Sequence, residues 1–509
     1  MGRITVGVIV ASWVIPISLL INHIVPHPYM DEIFHIPQTQ EYCKANFRSW
    51  DPMITTPPGL YYLSLAHVAS LFPGMLLLGR ASSFSDLCST VILRSVNGAL
   101  AVLCSILIYE IITHLKPTLD RKKATLFAVV LSLYPLHWFF ALLFYTDVAS
   151  LTVFLGMYLA SLKKKHLFSA LLGAVAICIR QTNVIWMLFV VCSSVIEMLL
   201  VHQKHSSSRE SEVSDGEEVS TTSEFDSAVK TGLRRRKSSV NVPTPGISSR
   251  HEADISKSYL PGLIDEIYDM LFRAWHLKME LVVSFSPFVL VLGLFVAFVY
   301  YNGSIVLGAK EAHTVSPHFA QIMYFALVSA LFSAPFHFTF SRVFGLLRTL
   351  WKSRPLSFAF VFVAFAVGLL SVHFFSIAHP YLLADNRHYT FYIWRKVINP
   401  HWSMKYALVP LYVYSWLSIL DILGKTRSKI WVLVYFLASV AVLVPTPLIE
   451  FRYYTIPFII FMLNCGIEET SKWLVTGIVY IVINVFTLYM FLYRPFYWAL
   501  EPDFQRFLW

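Results

Sequence analysis

The chain has 509 residues, of which 56% are hydrophobic, 16% aromatic and only 14% charged. A soluble domain carries about one quarter charged residues, so this composition, with a mean hydropathy of +0.61, excludes an ordinary soluble globule and points to a polytopic membrane protein. The net charge of +10 is read as Lys and Arg gathered in cytoplasmic loops; outside one short run no basic stripe interleaves with aromatics, and no nucleic-acid partner is expected.

The apolar runs are continuous for about twenty residues and do not alternate, which selects helices over a barrel. The first, 4–25, follows Arg3 and has no small-x-small cleavage site after it. It reads as a retained anchor with Arg3 in the cytosol. Further spans are expected at 90–113, 124–144, 147–162, 167–183, 184–201, 281–300, 320–340, 356–376, 404–422, 429–446, 455–468 and 473–492, which makes about thirteen.

Residues 60–79, LYYLSLAHVASLFPGMLLLG, are also apolar, but Pro73-Gly74 interrupts them. Counted as a span, they would turn the basic segments LKPTLDRKK and KKKH away from the cytosol, against the charge rule. Laid along the membrane surface, they restore it. Residues 26–88 then form one long non-cytosolic loop. With an odd number of spans, the closing DFQRFLW is expected on that same side. It contains no retrieval motif.

Residues 203–258 are rich in serine and charge and nearly free of large apolar side chains. They are expected to be a disordered cytosolic linker between a module at 1–202 and a second at 259–509. The run RRRKSS within it reads first as solvated chain, with phosphorylation and lipid attraction as alternatives. The six cysteines show no metal-ligand spacing. Cys104, Cys178, Cys192 and Cys465 lie in apolar runs and read as small hydrophobes. Cys43 and Cys88 share the first loop, where both a disulfide and two free thiols fit the sequence. The sequon at Asn302 sits almost at the end of a span, too close to the membrane for modification.

On this threading the polar islands fall on the non-cytosolic side. They include PYMDEIFHIPQTQEYC (28–43), WDPMITTPPGLYY (50–62), FYTDVAS (144–150), RQTN (180–183), HPYLLADNRHYTFYIW (379–394) and EFRYY (450–454). Charged groups near bilayer depth are costly and are usually functional. Taken singly, each has a plain alternative. Asp31 and Glu32 fit a solvated loop start, His35 fits helix pairing with Asp31, and Arg180 fits snorkelling to an interface. The dense set Asp385, Arg387 and His388 is harder to dismiss, and Arg452 between Phe451 and Tyr453 repeats its theme. Aromatics interleaved with polar groups suit sugar rings, which have apolar faces and hydroxyl edges.

No Asp-x-Asp clamp, Walker A, GxSxG or HExxH motif occurs. A lipid monophosphate sugar carries a single negative charge, which one or two Arg or His groups can neutralise without a metal ion. A carboxylate then takes the proton of the attacking hydroxyl. No cofactor is expected.

The motif MDEIFH followed by TTPPGLYY resembles the GT-C superfamily of polyprenyl-phosphate-sugar glycosyltransferases. More narrowly, MDEIFHIPQTQEYC, TTPPGLYY, FFALLFYTDVASL, IRQTNVIW, HPYLLADNRHYTFYIWR and EFRYYTIPF resemble the endoplasmic-reticulum alpha-1,2-glucosyltransferases of N-glycan precursor assembly. The resemblance runs to about residue 457 and skips the linker. It implies an all-α GT-C fold with a long first luminal loop carrying surface helices. It also implies an endoplasmic-reticulum membrane protein whose donor is dolichyl phosphate glucose and whose acceptor is the diglucosylated dolichol-linked oligosaccharide. A beta-linked donor and an alpha-linked product require inversion by a single in-line displacement. Asp31 is then the general base, with Glu32 as the second candidate. Adjacent helical residues diverge by about 100°, so one of the two is expected to face the cavity. Arg452, Arg180 and His379 are candidates for the donor phosphate, and Asp385, Arg387, His388 and His35 for the sugar pocket. Two rivals are a lipid or sugar transporter, for which midplane sites and internal repeats are expected, and a non-catalytic scaffold.

Overall fold

A computed structural model describes residues 2–214, 262–313, 315–352, 355–466, 469–499 and 504–509. The chain forms two compact units. One takes in residues 1–195 and 277–509, the other residues 196–276. In the first unit the chain opens with α1 (Gly2–Ile24), α2 (Glu32–Cys43), α3 (Gly59–Leu77) and α4 (Thr90–Leu115). It continues with α5 (Arg121–Ser132), α6 (Pro135–Phe140), α7 (Thr146–Leu162), α8 (His166–Ile179) and the start of α9 (Asn183–Ser214). The second unit holds the remainder of α9 and α10 (Leu263–His276), which has Asp265 and Glu266 in its first turn and Arg273 and His276 in its last, matching the helix dipole.

The first unit resumes with α11 (Lys278–Asn302), α12 (Ala320–Phe332), α13 (Ala334–His337), α14 (Phe340–Lys352) and α15 (Pro355–Phe374). The short helices α16 (Pro380–Ala384), α17 (Tyr389–Ile393) and α18 (Met404–Ala407) carry the third large polar island. Then come α19 (Val409–Gly424), α20 (Lys429–Leu443), α21 (Thr455–Asn464) and α22 (Thr470–Tyr493). A two-stranded antiparallel ribbon of β1 (Phe496–Tyr497) and β2 (Phe504–Gln505) closes the described chain. Among the described residues, seven helices are long and apolar enough to cross a membrane.

The expected runs differ from the observed helices where the backbone chemistry intervenes. The run 124–144 is two helices, because Pro135 has no N–H to donate and cannot continue α5. Pro335 does the same to 320–340, which breaks at Ser333. The run 167–183 stops at Ile179, and Arg180 is extended. The run 455–468 stops at Asn464. Helix α9 runs on to Ser214, through the first residues of the expected linker. The disorder expected beyond it, and the RRRKSS run, lie outside the described residues.

The two ends of the bundle are fixed by ion pairs. Arg3, at the start of α1, pairs with Glu110 near the end of α4. Lys163, just past α7, reaches the same carboxylate at 3.4 Å. At the other end Arg94, early in α4, donates to the Val25 carbonyl just past α1 at 2.6 Å. Helices α1 and α4 are therefore antiparallel neighbours, and residues 26–88 leave and return at the same end. Helix α3 meets the length and apolarity of a span. Yet Phe84 lies back against Phe72, with ring centroids 5.8 Å apart, and Cys88 is bonded to Cys43 at the end of α2.

The Cys43–Cys88 disulfide closes a loop with a sequence separation of 45. Cross-linking a loop of this size removes unfolded-state entropy worth about 2–4 kcal/mol. The Cys43→Ser, Cys88→Ser double variant is accordingly expected to melt several degrees lower, as read by a thermal unfolding scan in detergent. An unchanged midpoint would show that the covalent link adds nothing to α2 and α3 packing.

Candidate active site

The site is built by loops at the end of the bundle marked by Arg94. Met30 adopts a left-handed backbone, with φ 56°, and this turns the chain sharply into α2. Asp31 and Glu32 then point to different places. Glu32 is fully buried, as is Arg94 with 2% exposure. Their contact is bidentate, with Nη2 at 2.6 Å from Oε2 and Nε at 2.9 Å from Oε1. Glu32 also accepts backbone N–H bonds from Tyr29 at 3.0 Å and Phe144 at 2.6 Å. Arg94 spends its remaining donors on Asn22 and on the carbonyls of Val25 and His27. This clasp joins α1, α2, α4 and the α6–α7 loop, and every polar atom in it is satisfied.

Asp31 faces the opposite way. Its carboxylate belongs to the walls of two adjoining cavities, of about 160 and 390 Å³. Arg452 lies in the same shared wall and donates from Nη1 to Asp31 Oδ2 at 2.7 Å. Arg452 also bonds Glu450, stands 3.9 Å from Asp147 Oδ2, and covers the Tyr145 ring at 5.7 Å. In the larger cavity Arg180 bonds Asp147 and lies over the Tyr453 ring at 5.5 Å. Three carboxylates and two guanidiniums thus share one junction. The Asp31 side chain is 37% exposed, against 13% for Glu450 and 7% for Asp147, so Asp31 is the most open of the three.

Burial pushes the Asp31 carboxyl up, but the Arg452 guanidinium, helped by His35 and His388, outweighs it and holds the group below its ordinary value. Burial also works against the charge of Arg452, and the carboxylates of Glu450, Asp31 and Asp147 hold it protonated. His35 lines the larger cavity. Burial lowers its pKa more than Asp31 raises it, and its Nδ1 meets the Tyr61 hydroxyl at 2.7 Å. The TTPPGLYY motif explains this partner. A Cβ at Gly59 would stand 2.4 Å from the Cys178 carbonyl, so only glycine lets α3 approach α8 closely enough to seat Tyr61.

The third island supplies the smaller cavity. Asp385 and His388 line it, while Arg387 stands behind. Arg387 grips Asp385 through Nε at 2.9 Å and Nη2 at 2.7 Å, bonds Gln505 at 3.0 Å, and stacks 4.6 Å from the Trp498 ring. Burial raises Asp385, and the Arg387 hydrogen bond together with His388 pulls it net lower. His379 lines the larger cavity and accepts a hydrogen bond from Tyr381 N.

Of the nine residues singled out from sequence, Asp31, His35, Arg180, His379, Asp385, His388 and Arg452 line the two cavities. Glu32 and Arg387 support them from behind. Sequence reasoning missed Asp147 and Glu450 as individual residues, although both lie in quoted islands. It missed Arg94 altogether, and the signal was present as a lone arginine inside the apolar run TVILRSVNGAL. It also missed Leu508 and Trp509, which line the smaller cavity. Among the described residues no three His, Cys, Asp or Glu side chains are grouped as metal ligands would be.

Comparison with known proteins gives consistent results. A protein of Arabidopsis thaliana named Dol-P-Glc:Glc(2)Man(9)GlcNAc(2)-PP-Dol alpha-1,2-glucosyltransferase is 55% identical over the full length of both chains. Proteins of the same name from Mus musculus and Homo sapiens are 37% and 35% identical over 95% of this chain and 93% of theirs. Solved structures give no significant match. The sequence model of the DIE2/ALG10 family matches residues 25–463, and the chain belongs to that family.

Proposed function

We propose that the chain transfers glucose from dolichyl phosphate glucose, in alpha-1,2 linkage, to the diglucosylated dolichol-linked oligosaccharide. The family and the names of its relatives support the reaction. The observation that carries its mechanism is the position of Asp31 in the wall common to two cavities, beside Arg452, with a second arginine, Arg180, in the larger of them. Arg180, Arg452 and His379 suit the single charge of the donor phosphate in the larger cavity. The smaller cavity suits the accepting sugar.

Transfer forms a bond between the acceptor oxygen and C1 of glucose as the bond from C1 to the phosphate oxygen breaks. The electron pair leaves with dolichyl phosphate, and Asp31 takes the acceptor proton. The displacement is single and inverts C1. In the free enzyme Arg452 damps the basicity of Asp31. A donor phosphate competes for that guanidinium and raises the carboxylate pKa when the base is needed.

The finer architecture belongs to the same reading. The first long luminal loop is 26–88, and the Cys43–Cys88 disulfide supports an oxidising compartment such as the endoplasmic-reticulum lumen. The GT-C arrangement with thirteen spans omits α3 and counts the other six long apolar helices, the five shorter ones, and the interrupted segments at α5–α6 and α21. Membrane lipids hold both polyprenyl tails beside the site.

The test is purified protein supplied with both lipid substrates. An acceptor extended by one glucose is the expected product, and its absence overturns the proposal. Chelation by EDTA is expected to leave the rate unchanged. A loss restored by manganese or magnesium would refute neutralisation by arginine alone.

The pH profile tests the base. A carboxylate lowered below its ordinary value stays ionised as pH falls, so kcat/KM is expected to hold down to about pH 5. The acid limb of kcat, measured with donor bound, is expected at higher pH than that of kcat/KM. An acid limb of kcat/KM near pH 6.5, the ordinary histidine value, would move the role from a carboxylate to a histidine.

A further inference from the structure

The segment Phe504–Trp509 is held at the site by more backbone contacts than a loose tail needs. Arg506 N donates to the Tyr29 hydroxyl at 2.7 Å, and that hydroxyl donates to the Arg506 carbonyl at 2.9 Å. Arg506 Nη1 also caps the end of α22 through the carbonyls of Phe491 and Leu492, at 2.8 and 3.0 Å. Leu508 N donates to the Arg387 carbonyl at 3.0 Å, and Tyr389 N donates to the Leu508 carbonyl at 3.1 Å. His388 Nδ1 meets the Trp509 carbonyl at 3.0 Å. One short segment is therefore fastened to the loop two residues before Asp31 and to the loop bearing Asp385 and His388.

These contacts place Leu508, 1% exposed, and the partly buried Trp509 in the lining of the smaller cavity. The Trp509 ring lies 5.0 Å from the Tyr389 ring. Asp31, Glu450 and Arg452 line both cavities; the smaller adds Asp385 and the larger adds Asp147, Arg180 and His379. With one arginine against three carboxylates, the smaller cavity is the poorer home for a phosphate, and its carboxylates accept hydrogen bonds from hydroxyls. The apolar surface that Leu508 and Trp509 add to the same lining matches the C–H face of a pyranose.

We propose that residues 504–509 form one wall of the acceptor subsite, with Leu508 and Trp509 contacting the glucose that receives the new bond. The proposal rests on the glucosyl-transfer reading above and deepens it. The segment acts by binding and orienting that sugar and takes no part in proton transfer.

Steady-state kinetics of the full chain, with dolichyl phosphate glucose and the diglucosylated lipid acceptor varied in turn, provide the test. Trp509→Ala and Leu508→Ala are each expected to raise the acceptor KM about tenfold while the donor KM stays within about twofold. Trp509→Phe is expected to recover most of the loss, since it restores an apolar ring. A rise in donor KM alone, or an unchanged acceptor KM in an active Trp509→Ala protein, overturns the proposal. So does a fall in kcat with both KM values unchanged, which is the signature of a structural role. If Trp509→Ala fails to fold, judged by its elution and melting profile, the same KM comparison is read from Leu508→Ala and Trp509→Phe. A wild-type protein that extends no acceptor would instead refute the transfer reaction itself.

Discussion

Asp31→Asn is expected to lower glucose transfer by about 10³-fold, the usual worth of a positioned general base. The amide matches the carboxylate in size and keeps an oxygen for Arg452, so the loop from Met30 into α2 has no reason to move. What disappears is the capacity to accept a proton from the attacking hydroxyl. The melting temperature and the donor affinity are expected to stay close to wild type, because Glu450 and Asp147 still neutralise Arg452. The check is single-turnover transfer at saturating donor, paired with a binding measurement for dolichyl phosphate glucose. An Asp31→Asn protein with near-normal turnover would remove Asp31 from the chemistry.

Glu32→Gln is expected to fail in a different way. Removing one partner of a buried ion pair leaves the other charge stranded, at a cost of about 3–5 kcal/mol. Arg94 would face an amide that cannot supply two charged acceptors, inside a core where it is only 2% exposed. Because the clasp joins four parts of the fold, its loss is felt far from the cavity. A lowered melting temperature and poor recovery from membranes are expected, and activity should fall in proportion to folded protein. A well-folded Glu32→Gln protein with no activity would put Glu32 in the chemistry beside Asp31. The double change Glu32→Gln, Arg94→Met removes the stranded cation and is expected to regain part of the stability.

Helix content and the gathering of acids, arginines and histidines into a few short segments were legible in the sequence because each depends on local composition. The division of labour between Asp31 and Glu32 was not legible from the motif. A carboxylate pair reads alike in both residues, and their fates depend on Arg94 and Arg452, respectively 62 and 421 positions away in sequence. The breaks at Pro135 and Pro335 lay in plain view, yet apolar runs this continuous mask them, because hydropathy averages over the proline. Arg387 was correctly seen as part of a charged set, but no local rule reveals that its partners are Asp385 and Gln505. Leu508 and Trp509 have no polar signature at all, and only their place in the fold brings them to the cavity.

The hydrogen bonds between Tyr29 and Arg506 span 477 positions. A ribosome releases the chain from its amino end, and early helices fold while later ones are still being made. The turn that carries Asp31 is synthesised first among the cavity-forming pieces, but the Tyr29 hydroxyl meets its Arg506 partner only once residue 506 has emerged. This tie between the first loop and residues 504–509 therefore forms late, after nearly the whole chain has been made. A stalled or prematurely terminated product would reach the membrane with its first loop made and its machinery unassembled.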